Sequence, residues 1–226
     1  METIQVNKAA RELMESVETT ITQSPKNQNT ITINRDIDTI PFLYREKGFK
    51  NFIAEGRLDE KKQLCIDFAK DKLEKKSLVM CGKVGNGKTH LAIAIAKNYW
   101  NSKPLSEIGA RTGVQTFSIK IIDADEFFMT LNDMATTGKS KIEYIKSILF
   151  NDLIILDDLG IANFSPAKQE NLYVLINKCY QTNHPIVITT NFTLEQLEMI
   201  DSRIPSRLNE MATILSFEFD DYRIKK

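Results

Sequence analysis

Between residues 2 and 23, apolar side chains recur at Val6, Ala10, Leu13, Val17 and Ile21, with Lys8, Arg11, Glu12, Glu15 and Glu18 largely on the opposite side. That three-to-four spacing predicts one amphipathic helix. The polar, proline-containing stretch SPKNQNT (24–30) reads as a linker, and residues 31–48 carry only weak signals. From Phe49 onward the pattern becomes regular. A helix is expected around 58–76, followed by the apolar run Leu78–Cys81, a glycine-rich turn and a second helix through LAIAIAKNYW. VQTFSIKII (114–122) predicts a strand, and DADEFFMTLNDM opens a helix with Asp123 as its N-cap. DLIILDD (152–158) is a continuous apolar run closed by two acids, the pattern of a strand buried on both faces. A helix over 166–181 and a second buried strand, HPIVITTN (184–191), follow, with Thr193 as the next N-cap. Strands alternating with helices predict an α/β fold: a parallel sheet sandwiched by helices, preceded by a short N-terminal helical segment. The expected division is 1–48, a helix and linker that either packs on its own domain or docks a partner, and 49–226, the α/β domain.

Composition narrows the class. With 226 residues, 42% hydrophobic and 8% aromatic, the chain is neither disordered nor fibrous. Its 30 Lys+Arg balance 30 Asp+Glu, which excludes a strongly basic DNA-coating protein but not a local basic surface. Cys65, Cys81 and Cys179 are scattered and odd in number, arguing for a reducing compartment, and no His/Cys cluster has zinc-ligand spacing. The N-terminus lacks the apolar core of a signal peptide, and no stretch approaches the roughly 18 apolar residues that span a bilayer. A cytoplasmic protein without a membrane contact is expected.

The chemistry begins at Gly82-Lys83-Val84-Gly85-Asn86-Gly87-Lys88-Thr89, which matches G-x-x-x-x-G-K-[ST] between a strand and a helix. The glycines let successive backbone N–H groups face a phosphate, and the helix N-terminus adds positive potential. Lys88 neutralises the terminal phosphates, and the Thr89 hydroxyl ligates Mg²⁺. ATP with Mg²⁺ is therefore the expected ligand. At the end of LIIL, Asp157 is placed to hold the metal and Asp158 to orient or deprotonate the attacking water. An ordinary strand exit would also end in two acids. Asn191 closes the next strand, on the same sheet edge, where its amide would reach the γ-phosphate or the water. A turn-forming asparagine before the Thr193 cap is the simpler alternative.

CGKVGNGKTHLAIAIA, LIILDDLG, IVITTN and DSRIPSRL, in this order and spacing, resemble the AAA+ ATPases of the DnaC and IstB group. Those are loaders of bacterial and phage replicative helicases and helper ATPases of transposons. The resemblance covers roughly 49–226 and is most specific at the phosphate loop extended by His90, Leu91 and Ala92. It implies Walker A at Lys88 and Thr89, with His90 adjoining the nucleotide, Walker B at Asp157 and Asp158, and sensor 1 at Asn191. It also implies an arginine finger at Arg207, acting on a neighbouring subunit, with Arg203 as helper. DDYR resembles the family's closing Ser-Tyr-Arg, which makes Arg223 a sensor 2 residue although Asp221 replaces a small residue. FKNF (49–52) is similar to the segment that packs on the adenine. In place of the family's Arg-Tyr pair before sensor 1 stands Cys179-Tyr180.

The resemblance implies a replicative-helicase loader that binds and hydrolyses ATP, self-associates into an oligomer, and contacts a DnaB-type helicase and single-stranded DNA. In GKSKIEYIKSIL (138–149), Lys139, Lys141 and Lys146 with Tyr144 between them suit tracking of a DNA backbone. The same segment also reads as an amphipathic helix with Ile142, Ile145 and Leu149 inward. Three other readings stand beside the loader: a transposition helper of the IstB type, a nucleotide-dependent adaptor that barely hydrolyses ATP, and a P-loop small-molecule kinase.

Overall fold

The computed structural model describes residues 44–54, 56–99, 118–160 and 164–218. The predicted helix over 2–23, the linker over 24–30, the start of the 114–122 strand and Arg223 lie outside the described residues.

A short 3-10 helix, Phe49–Asn51, precedes helix α1, Arg57–Ala69. Strand β1, Ser77–Gly82, runs into the glycine-rich turn and helix α2, Lys88–Asn98. Strand β2, Ile119–Asp123, is followed by α3, Ala124–Thr136, and α4, Lys141–Ile148. Next come β3, Leu153–Leu159, α5, Pro166–Thr182, and β4, Ile186–Thr190. Helices α6, Leu194–Ile200, and α7, Arg203–Met211, lead to β5, Ala212–Phe217.

The five strands form one sheet in the order β2-β3-β4-β1-β5, every pairing parallel. Continuous apolar strands are explained by the period of two. Val79, Ile154, Leu156, Ile186 and Ile188 point into a core shared with Phe127 of α3, Ile145 of α4, Leu172 of α5 and Leu208 of α7. Their neighbours Leu78, Met80, Leu153, Ile155 and Val187 point the other way, onto Phe68 of α1 and Leu91 and Ile95 of α2. Each fully buried Leu or Ile is worth about 1.5–3 kcal/mol over an exposed one, so both faces must be covered. The predicted sandwich is the observed architecture.

Local capping follows the sequence closely. The Asp123 carboxylate accepts from the N–H groups of Asp125 and Glu126, and Ser165 accepts from Lys168 with Pro166 in the first turn. Thr193 and Gln196 form a reciprocal capping box. Two expectations fail. Helix α1 ends at Ala69 and not near 76, because Asp71 adopts a left-handed φ of 54°. The N–H of Lys72 then bonds the Asp67 carbonyl and that of Asp71 the Phe68 carbonyl, a Schellman close. In α4, Ile142 is 57% exposed, and Ile148 takes its place beside Ile145 in the core.

Candidate nucleotide site

The carboxyl ends of β1, β4 and β3 lie side by side, and three of the predicted motifs converge there. Strand β1 ends at Gly82 with φ 130°, where a Cβ would stand 2.1 Å from the Phe217 carbonyl oxygen of β5. At Gly87, φ 82°, a Cβ would meet the Phe52 ring at 2.5 Å. Both positions require glycine. Asn86, 5% exposed, donates its Nδ2 to the Phe217 carbonyl at 2.8 Å and ties the loop to β5. Lys88 Nζ folds back on the carbonyls of Gly82, 2.6 Å, and Lys83, 2.7 Å.

Strand β3 is irregular where it matters. Leu156 pairs with Ile188 and Leu159 with Thr190, so three steps on β3 face two on β4. The extra residue makes a bulge at Asp157–Asp158, with Asp158 in the left-handed region at φ 54°. Thr189, which sequence reasoning passed over, bridges this bulge. Its hydroxyl accepts from the Asp158 N–H at 2.8 Å and donates to Asp157 Oδ1. Asn191 Nδ2 donates to Asp158 Oδ1 at 3.1 Å.

Burial pushes the Asp157 carboxyl up; the hydroxyls of Thr189 and Thr89 pull it down, and the charges of Asp158 and Asp123 add to the rise. A hydroxyl at the start of α2 and a half-buried carboxylate at the end of β3, beside a phosphate-loop motif, are the oxygen donors that Mg²⁺ takes when phosphates and water complete its shell. The residues present fit that ion.

His90 contacts the segment that covers the loop. Its Nε2–H donates to the Gly48 carbonyl at 2.9 Å, and its ring meets Phe52 edge-on at 5.0 Å. Burial lowers its pKa, keeping it neutral. Lys97 Nζ reaches the carbonyls of Tyr44, Arg45 and Lys47, and Lys62 Nζ that of Phe52 at 3.0 Å. These three side chains strap residues 44–52 across α2, with Phe52 beside Gly87. Only the Lys97 and Lys62 contributions had no signal in the sequence.

The two arginines of DSRIPSRL stand on α7 against α5. Arg203 pairs with Asp201 through Nε and Nη2, the latter at 2.7 Å, bonds Glu170 at 3.3 Å, and stacks 3.8 Å from the Tyr173 ring centre. Arg207 donates its Nε to Asn177 Oδ1 at 3.3 Å and lies 5.0 Å from the Tyr180 ring centre. On α4, Tyr144 stacks against Phe127, with centres 6.3 Å apart, and is half-buried. Lys141 and Lys146 share the exposed face of the helix with Glu143 and Ser147, and Lys139 precedes its N-cap Ser140.

Residues 58–226 match the family described as IstB-like ATP binding protein. The chain belongs to this family. It is 26% identical over 187 residues to the phage-like element PBSX protein XkdC of Bacillus subtilis, covering 77% of this chain and 65% of that one. A crystal structure of the DnaC helicase loader superposes with a TM-score of 0.62 at 20% identity, over 79% of this chain and 100% of that chain. AMPPCP-bound DnaA from Aquifex aeolicus gives 0.62 at 20% identity, over 80% and 52%. The family member therefore has the P-loop AAA+ fold shared by DnaC and DnaA, and spans under two thirds of the XkdC relative and about half of that DnaA chain. Among the described residues no helix is long and apolar enough to cross a membrane.

Proposed function

We propose that this IstB-family protein binds and hydrolyses ATP with Mg²⁺ in an oligomer, and that this cycle loads a DnaB-type replicative helicase onto single-stranded DNA in the cytoplasm. The observation that carries the reading is one hydrogen-bonded network, Asp157–Thr189–Asp158–Asn191, on the sheet edge beside the phosphate loop. Likeness of fold along the whole DnaC loader chain supports the choice of cycle.

Each group has a task in that reading. The loop from Gly82 to Thr89, with Lys83, Val84, Gly85 and Asn86 supplying backbone, holds the phosphates at the N-terminus of α2. Lys88 exchanges its two loop carbonyls for β- and γ-phosphate oxygens. Asp157 and Thr89 would hold Mg²⁺, which when bound supplies Lewis acidity to those oxygens. Asp158 orients the water and accepts its proton at the carboxylate, while Asn191 fixes the Asp158 Oδ1 and presents its amide to the γ-phosphate. His90 acts through the strap that places Phe52 beside the loop. Arg207 reaches the nucleotide of a neighbouring subunit, Arg203 supports it, and Arg223 serves as sensor 2. Residues 1–48 dock the partner, and Lys139, Lys141 and Lys146 contact the DNA backbone.

The match to an IstB-like family also favours a second reading, a transposition helper. The test is capture of purified hexameric helicase or transposase by the chain with ATP, alongside release of inorganic phosphate with and without single-stranded DNA. Helicase capture with DNA-stimulated phosphate release supports loading. Capture of transposase alone overturns it, and phosphoryl transfer to a small acceptor would make the protein a kinase.

A further inference from the structure

The face between α5 and α7 treats its two arginines differently. Contacts run Arg203 to Glu170, Arg207 to Asn177 and Glu210 to Tyr180, so the two helices lie parallel and in step. Arg203 is held by ion pairs inside its own subunit: Asp201 takes its Nε and Nη2, Glu170 takes Nη2 again, and Tyr173 covers its plane. Arg207 uses only Nε, on Asn177. Its two Nη groups have no partner among the described residues, and its guanidinium rests on the Tyr180 ring. That ring is itself anchored, since the Tyr180 hydroxyl donates to Glu210 Oε2 at 2.6 Å.

We infer that Tyr180 is a positioning residue for Arg207, holding the guanidinium by its ring face so that the free Nη fork meets a terminal phosphate bound to a second copy of the chain. The inference rests on the proposed trans role of Arg207. A long side chain left unsupported samples several rotamers, and each costs the geometry that charge stabilisation needs. An aromatic face attracts a guanidinium without using any N–H, so the fork stays available to an anion. Asn177 holds the remaining N–H and limits rotation about the stem. Arg203 lacks this freedom and serves the α5–α7 packing.

The test uses the full chain as Arg207→Ala, Tyr180→Ala and Tyr180→Phe. Phosphate release is measured against protein concentration, and nucleotide Kd with a fluorescent ATP analogue. Tyr180→Ala is expected to lower the concentration-stimulated kcat about tenfold with Kd unchanged. Tyr180→Phe, which keeps the ring, is expected to retain at least about half of it. If Arg207→Ala abolishes the stimulation but Tyr180→Ala does not change it, this inference is wrong and the trans reading stands. A loss in Tyr180→Ala that phenylalanine fails to rescue, or that appears equally in Kd, also overturns it. If Arg207→Ala keeps full stimulation, the trans role falls and the inference with it.

Discussion

The sheet edge and the α5–α7 face hold their functional groups by opposite means. At the edge, Gly82, Gly87, Asp158 and Thr189 are fixed through backbone conformation or bonds to backbone atoms: φ above zero, a bulge, a hydroxyl on an N–H. On the helix face, Arg203 and Arg207 are held by the ends of other side chains, across separations of some 30 residues. Backbone-held groups leave little choice of residue type, and they are expected to act on binding or, at Asp158, on the chemical step. Side-chain-held groups tolerate replacement by anything of similar shape, and they act on rate. The difference predicts which assay each substitution will move.

Lys88→Ala tests the edge hardest. Loss of the ammonium proposed to hold the phosphates should weaken ATP binding by about 100-fold or more, measured by fluorescence titration, with the circular dichroism spectrum intact. Asp158→Asn should leave that titration unchanged and slow phosphate release by about 100-fold, since only the proposed proton acceptor is removed. Thr189→Val deletes the hydroxyl between the two acids. It should cost about 1–3 kcal/mol in a urea melt, because it leaves a buried N–H and a carboxylate oxygen without their partner. If Thr189→Val melts like the parent chain, the bulge is not held from β4.

Asp157 supplies a pH-dependent test. Burial raises its pKa in the folded chain, so the unfolded chain loses this proton first. Stability therefore falls as pH rises from the ordinary carboxylate value through the folded one, and the cost is fully present at neutral pH. Asp157→Asn should raise the thermal midpoint at pH 7 by about 2–4 °C, with the gain shrinking on acidification, while Mg²⁺-dependent turnover is lost. The smallest effect is expected for Arg203→Ala, whose contacts are exposed ion pairs. Turnover should fall by less than in Arg207→Ala, in keeping with a supporting role. A large loss of rate there would erase the distinction drawn between the two arginines.

Much of the fold was legible because parallel strands covered on both faces must be apolar throughout, as LIIL and IVI are. The phosphate loop was legible for a related reason: each of Gly82, Gly87, Lys88 and Thr89 answers a separate steric or charge demand within eight residues. The end of α1 was not legible, since Asp71 has no turn signature and Leu73 continues the apolar spacing. Ile142 and Ile148 stand three residues to either side of Ile145, and only the position of Phe127 and the neighbouring strands selects Ile148 for the core.

By itself the sequence determined the chemistry available: a phosphate-loop motif, two acids and an amide at strand ends, two arginines four apart. It determined the layering too, because hydrophobic period and capping are local properties. Tertiary structure decided how those groups are used. The one-residue slip between β3 and β4 sets Asp157 and Asp158 around Thr189, and α5 ties down Arg203 while leaving the Nη fork of Arg207 open. Register between distant strands and the pairing of long side chains across helices depend on how remote segments pack, and no period along the chain encodes them.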